Sequence, residues 1–195
     1  MTQEYQSMRI DQERLFTAIR LPSAWKQELY TWTMTHRPSL NFAKWVDPED
    51  YHITLQFLGD VPLERIPLLV EKLQEAAKER DSFVLHLGET GFFGRKEFPR
   101  ILWRGIKGEI QPLTVLYEDI VSLTSDLGYQ PEDRPYRPHI TLARKYKSDQ
   151  PVSPDFGAGE VSLTEEWEVG EFVLFATRMG KQPMYQVIEA FPFHR

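Results

Sequence analysis

The tetrapeptide His-Ile-Thr-Leu occurs twice in this chain, at residues 52–55 and 139–142, 87 positions apart. Two β-branched residues in four favour extended backbone. Strand alternation then puts histidine and threonine on one face and isoleucine and leucine on the other. Each copy therefore reads as a strand that buries an aliphatic pair and presents an imidazole with a hydroxyl two residues along. A coarser repetition surrounds the tetrapeptide, because the order strand, helix, HxTL strand occurs twice. The pattern predicts two similar lobes.

The rest of the chain alternates between strand-like and helix-like segments. Residues 14–21 have the apolar density of a strand. Ser23 is placed to N-cap a helix over 24–36, with Trp25, Leu29, Trp32 and His36 on one face and Pro38 at its end. Asp47-Pro48-Glu49-Asp50 is a turn, and residues 51–59 are a strand closed by Gly59. Helical periodicity runs over 63–80 and again over 110–127, where Gly128 stops it. Residues 83–87 and 101–106 read as strands, with a glycine-rich basic loop over 88–100. A proline-rich loop covers 129–138, and 139–143 is a strand with a basic tail. A Pro/Gly loop follows over 148–160, then strands over 168–177 and 184–191. Residues 1–13 read as a ragged start. Strands outnumber helices and no GxGxxG is present, so the expected class is α+β, mainly antiparallel, with two similar lobes.

Composition narrows the function. At 195 residues, 41% hydrophobic and 27% charged, the chain suits a single bilobal domain spanning 1–195. It has no cysteine, which excludes disulfides, thiolate nucleophiles and zinc–thiolate sites. The first ten residues are polar and no run of about 20 apolar residues exists, so the expectation is a cytoplasmic protein with no membrane partner. A net charge of -6 argues against broad binding along a nucleic-acid backbone. It leaves room for action on one terminal phosphate.

The two HxT units suit that task. Metal-independent phosphodiester cleavage needs a base, an acid and donors for the non-bridging oxygens. Histidine serves as base or acid because its pKa lies near 6.5. Threonine supplies a compact donor on a stiff χ1. A single such histidine on a strand is more often structural, but two identical units point to a phosphate clamp with His52 and His139 as the acid–base pair. His36, His86 and His194 do not recur in this way and read as structural.

Paired HxT(L) strands resemble the signature of the 2H phosphoesterase superfamily, and closest to its bacterial and archaeal RNA 2',3'-cyclic phosphodiesterases, also called 2'-5' RNA ligases. The resemblance covers nearly the whole chain, through RLFTAIRLP, KWVDPEDYHITLQFLGDV, FPRILWRGI and RPYRPHITLAR. It implies a bilobal fold, two mainly antiparallel sheets facing a central V-shaped cleft with helices on the outside, and hydrolysis of 2',3'-cyclic phosphate ends, on RNA or small cyclic nucleotides, to a 2'-phosphate. It assigns His52 as proton donor to the leaving 3' oxygen, His139 as the base that activates water, Thr54 and Thr141 as phosphate-holding residues, and Arg144 as a further phosphate contact. Strict alternation would turn Arg144 away from His139, so its role requires the strand to end, twist or bulge near Ala143. Tyr136 and Phe57 are candidate base-stacking residues, although Phe57 shares the parity of the buried Ile53 and Leu55. A basic rim of Arg95, Lys96, Arg100, Arg134, Arg137, Arg144 and Lys145 flanks the motifs.

Three other readings were weighed. Ligation of 2'-5' linkages would be the reverse reaction only, since no GxxxxGK(S/T) loop is present. A non-catalytic module for RNA ends or nucleotides would not need both histidines. A metal hydrolase fits poorly, because neither HxH nor HExxH occurs. Neither a metal, a cofactor nor an obligate protein partner is expected.

Overall fold

In the computed structural model, residues 11–78, 80–95, 97–153, 156 and 166–194 are described. Their elements are β1 (Gln12–Arg20), α1 (Ser23–His36), β2 (Phe42–Trp45), β3 (His52–Pro62), α2 (Ile66–Ala77), β4 (Phe83–Gly94), β5 (Pro99–Gly108), α3 (Ile110–Ser125), β6 (His139–Tyr146), β7 (Trp167–Val169), β8 (Glu171–Thr177) and β9 (Tyr185–Pro192).

The strands form one curled nine-stranded sheet in the order β7-β4-β5-β6-β3-β1-β8-β9, with β2 also on β6. Each pairing is antiparallel. Two strand groups are recognisable within it, because β3 and β6 meet only through Ile53 and Ile140. The two HITL strands are thus the innermost strand of each group; the α+β, mainly antiparallel class holds, but the two sheets expected are joined into one continuous sheet by the β3–β6 pairing. The helices tie the groups together. Trp25 of α1 packs edge-on against Trp167 of β7, ring centres 5.2 Å apart, and α3 lies against both β3 and β4.

Apolar periodicity explains the packing. Leu69, Leu73, Ala76 and Ala77 of α2 and Leu113, Leu116 and Ile120 of α3 are buried. They join Ile53, Leu55, Ile140 and Leu142 in the main core. A second, smaller cluster, Phe16, Ala18, Val173 and Phe175, lies apart from it.

Several boundaries differ from the sequence-based expectations. Pro22 is the N-cap of α1, without a side-chain cap, so Ser23 is not the cap. Residues 63–65 form a 3-10 turn and α2 ends at Ala77. Residues 168–177 are two strands separated at Gly170. The largest correction concerns 88–100, most of which belongs to the long β4–β5 hairpin, with β4 running to Gly94 and β5 starting at Pro99. Glycine marks close approach there as well as a turn. A Cβ on Gly91 would lie 2.3 Å from the Trp103 ring, whereas Gly94, at φ +102°, sits at the turn itself. Residues 1–10 of the ragged start, Lys96 of the basic rim and most of 154–165 lie outside the described residues.

Candidate active site

Each HITL strand carries a β-bulge one step after its threonine. On β3, Thr17 faces Gln56 and Ala18 faces Thr54, so Leu55 is the extra residue. On β6, Leu102 faces Ala143 and Trp103 faces Thr141, so Leu142 is the extra residue. Both strands consequently bury two successive residues, Leu55 with Gln56 and Leu142 with Ala143. The bulge inverts parity beyond it. Arg144 therefore returns to the face of His139 and Thr141, as its expected role required. Phe57 returns to the face of His52 and Thr54, which overturns the parity argument for core packing: it is 52% exposed, with its ring 5.7 Å from that of Phe16. The inward Gln56 is held in the core. Its backbone N–H donates to Thr17 Oγ1 at 3.1 Å, and its amide oxygen accepts from Thr124 Oγ1 at 2.7 Å.

The two imidazoles are anchored alike. His52 Nδ1 lies 2.7 Å from the Asp50 carbonyl, and His139 Nδ1 lies 2.6 Å from the Arg137 carbonyl. A carbonyl only accepts, so each ring carries its proton on Nδ1 and keeps Nε2 for chemistry. Thr54 Oγ1 lies 3.0 Å from His52 Nε2. Aromatic walls complete both settings. His52 is ringed by Phe16 at 5.0 Å, Tyr185 at 5.1 Å and Phe175 at 6.0 Å. His139 meets Phe93 edge-on at 4.8 Å and Trp103 at 6.4 Å.

Burial is the main influence on both rings and disfavours their charged forms. It lowers His52 to about 4, helped by the charges of Arg144 and His139 and opposed by the Asp50 carbonyl. His139 is also lowered, chiefly by burial and further by Arg144, while the Arg137 carbonyl and Glu132 oppose the change. The charge of Arg144 thus reaches both imidazoles, and it reaches Tyr185 as well.

A cavity of about 420 Å³ opens beside the pair, lined by Thr54, Phe57, Phe93, Tyr136 and His139 among others. Thr141 stands opposite Trp103 in the β5–β6 register. Tyr136 is more constrained than a free stacking platform, because one face is stacked on Tyr117 at 4.1 Å and its hydroxyl donates to the Thr54 carbonyl at 3.2 Å. Burial raises its phenol above the usual range. Of the basic rim, Arg134 and Arg137 line the cavity, and Arg95 lies over the Phe98 ring at the β4–β5 turn. Among the described residues, no three His, Asp or Glu side chains converge on a metal-sized site, and no helix is long and apolar enough to cross a membrane.

Sequence reasoning missed the second wall of each site. Tyr185, Phe16 and Phe175 come from strands distant in sequence, and Trp103 was seen only as part of a strand. Asp50 was read as a turn residue. It is buried, and its two carboxylate oxygens accept from the backbone N–H groups of Met184 at 2.9 Å and Tyr185 at 3.0 Å. The DPED turn followed by a strand was the available signal, but nothing in it named the partner strand.

With this geometry in view, the comparisons are direct. The chain belongs to the LigT-like phosphoesterase family, whose model matches residues 19–103 and 105–185, and so includes both HITL strands. A relative from Geobacillus stearothermophilus, named RNA 2',3'-cyclic phosphodiesterase, is 39% identical over 177 residues, 91% of this chain and 56% of the relative. This chain therefore spans little more than half the length of that protein. A Bacillus subtilis relative of the same name is 36% identical over 178 residues, 90% of this chain and 94% of the relative. Among solved structures, a Thermus thermophilus protein, TT0787, aligns with a TM-score of 0.78 at 30% identity, covering 92% of this chain and 97% of that one. Escherichia coli LigT complexed with 3'-AMP aligns with a TM-score of 0.77 at 25% identity, covering 95% and 100%.

Proposed function

We propose that this chain is an RNA 2',3'-cyclic phosphodiesterase that opens a terminal cyclic phosphate to a 2'-phosphate by two-histidine acid–base catalysis. The observation that carries the reading is the duplicated anchor: each imidazole spends Nδ1 on a main-chain carbonyl two residues upstream, and one guanidinium acts electrostatically on both rings. The shared name of the two bacterial relatives supports the substrate class. RNA ends and small cyclic nucleotides both present the required group.

In this scheme His139 Nε2 takes a proton from water as the water oxygen bonds to phosphorus. The P–O3' bond breaks, and His52 Nε2–H protonates the departing 3' oxygen. Thr54, Thr141 and Arg144 hold the non-bridging oxygens as charge builds on them. Burial and Arg144 favour neutral imidazoles, so the phosphodiester anion itself supplies the opposing charge that lets His52 carry its proton. Phe57, turned onto the His52 face by the bulge, offers an exposed ring to a base, and Tyr136 offers the face that Tyr117 leaves uncovered. The scheme routes no step through a metal, and the two strand groups act as one domain with the reaction between them.

The decisive assay incubates the protein, in chelator, with a short RNA ending in a 2',3'-cyclic phosphate, beside His52→Ala and His139→Ala variants. Conversion to the 2'-phosphate by wild type alone is expected, with a bell-shaped pH profile. Absence of turnover by folded wild type, or persistence of turnover in either variant, would overturn the proposal.

A further inference from the structure

The two HITL units are identical in sequence and share an anchor, yet their surroundings differ at the residue that supplies the anchoring carbonyl. For His139 that residue is Arg137, whose side chain is exposed. For His52 it is Asp50, which is 6% exposed. Its carbonyl takes the His52 Nδ1–H at 2.7 Å. Its carboxylate oxygens each take one backbone N–H at the start of β9, Met184 to Oδ2 and Tyr185 to Oδ1. The same turn is tied to the same segment a second time, because Gln182 donates to the Asp47 carboxylate, whose other oxygen accepts the Glu49 N–H at 2.8 Å. The Tyr185 ring, delivered in this way, stands at 88° to the His52 ring with centres 5.1 Å apart.

We propose that Asp50 is a positioning residue for His52: its carbonyl selects the Nδ1–H tautomer, and its carboxylate docks β9 so that Tyr185 closes the imidazole against Phe16 and aims Nε2 at Thr54. This rests on the two-histidine reading above and adds a residue that touches neither substrate nor reacting atoms. The chemistry of the carboxylate is specific. Two oxygens meet two N–H donors, so an asparagine would set its own NH₂ against one of them and leave a buried donor unmet. The charged and titratable groups facing His52 are Asp50 from its own turn, Tyr185 from β9, and Arg144 and His139 from β6. Asp50→Asn leaves Tyr185, Arg144 and His139 in place, breaks the Asp50–β9 link and removes one negative charge; the loss of that charge alone would lower the His52 midpoint, so a rise reports the link.

The test is the titration of His52, followed by imidazole NMR on the whole chain in wild type and Asp50→Asn, with His52→Gln used to assign the resonance. In wild type, His52 is expected to stay in the Nδ1–H tautomer and to remain neutral well below pH 6.5. Asp50→Asn keeps the main-chain carbonyl that selects the tautomer, but the loosened β9 admits water, and the midpoint should rise by at least one pH unit. Turnover of a 2',3'-cyclic nucleotide should fall at least tenfold in kcat, with KM within threefold. A folded Asp50→Asn protein whose His52 titration matches wild type overturns the proposal, even if its melting temperature has dropped. Should Asp50→Asn not fold, Tyr185→Leu removes the ring and keeps the carboxylate. The same rise in the His52 midpoint is expected there, and an unchanged midpoint overturns the proposal equally. Because the titration needs no turnover, wild type that cleaves no cyclic phosphate would refute the proposed reaction while still deciding the role of Asp50.

Discussion

Acidification should destabilise wild type more than a His52→Gln variant, by roughly 2–3 kcal/mol between pH 8 and pH 4.5. In the folded chain, burial beneath Phe16, Phe175 and Tyr185, with the charges of Arg144 and His139, lowers His52 from 6.5 to about 4. The unfolded chain holds that proton at the ordinary histidine value and so binds more protons at any pH between the two. Stability from this residue is therefore complete above pH 6.5 and is lost as the pH falls toward 4. The whole gap is worth roughly 3 kcal/mol, and most of it is gone by pH 4.5.

Urea titrations followed by tryptophan fluorescence at the two pH values, on both proteins, measure the effect. Carboxylates titrate in both chains and cancel in the difference, as does any constant effect of the glutamine. The extra loss in wild type should appear as roughly 1 M of additional shift in the urea midpoint. Parallel decline of the two proteins, within about 0.5 kcal/mol, would show that His52 titrates as an ordinary histidine. The argument from burial and Arg144 would then be wrong.

Arg144→Gln removes a charge that lowers both imidazoles, so the acidic limb of the pH–rate profile should move to higher pH and KM for a cyclic nucleotide should rise about tenfold. An unchanged KM would remove Arg144 from phosphate binding. Gly91→Ala places a Cβ 2.3 Å from the Trp103 ring, which should cost about 1–3 kcal/mol in chemical denaturation. Unaltered stability would mean that the β4–β5 hairpin yields freely under His139.

Much of the fold was legible because its strands and helices are strongly patterned. The alternation in HITL identified the two inner strands, and the apolar faces of α2 and α3 identified two helices that pack on each other and on the sheet. What stayed hidden has a common cause. Glycines at 88, 91 and 94 read as loop because sequence alone does not separate a turn glycine from one facing an indole in a hairpin. Asp50 read as a turn residue because its partners, Met184 and Tyr185, lie about 135 positions away. The bulges were equally invisible, since the main signal for β3 and β6 was a period of two and a bulge is a break in that period. At Arg144 the family resemblance required the break. At Phe57 the uninterrupted period pointed to the wrong face.

That shared break shows how one motif yields two different half-sites. Phe57 and Arg144 each stand five residues beyond their histidine, and each regains the histidine face through a bulge at the leucine of HITL. The repeated backbone therefore presents three equivalent positions per strand: an imidazole, a hydroxyl and one further side chain. The first two are identical between the copies, and the third is an aromatic ring on β3 and a guanidinium on β6. A symmetric clamp alone would hold a phosphate without distinguishing its two sides. Apolar burial around His52, the Asp50 carboxylate behind it and Phe57 beside it set that half apart from the His139 half, which has Arg144 on its own strand. The acid and base of the proposed reaction need different environments, and the difference between the two half-sites arises from residues outside the repeated tetrapeptide, on the same repeated backbone.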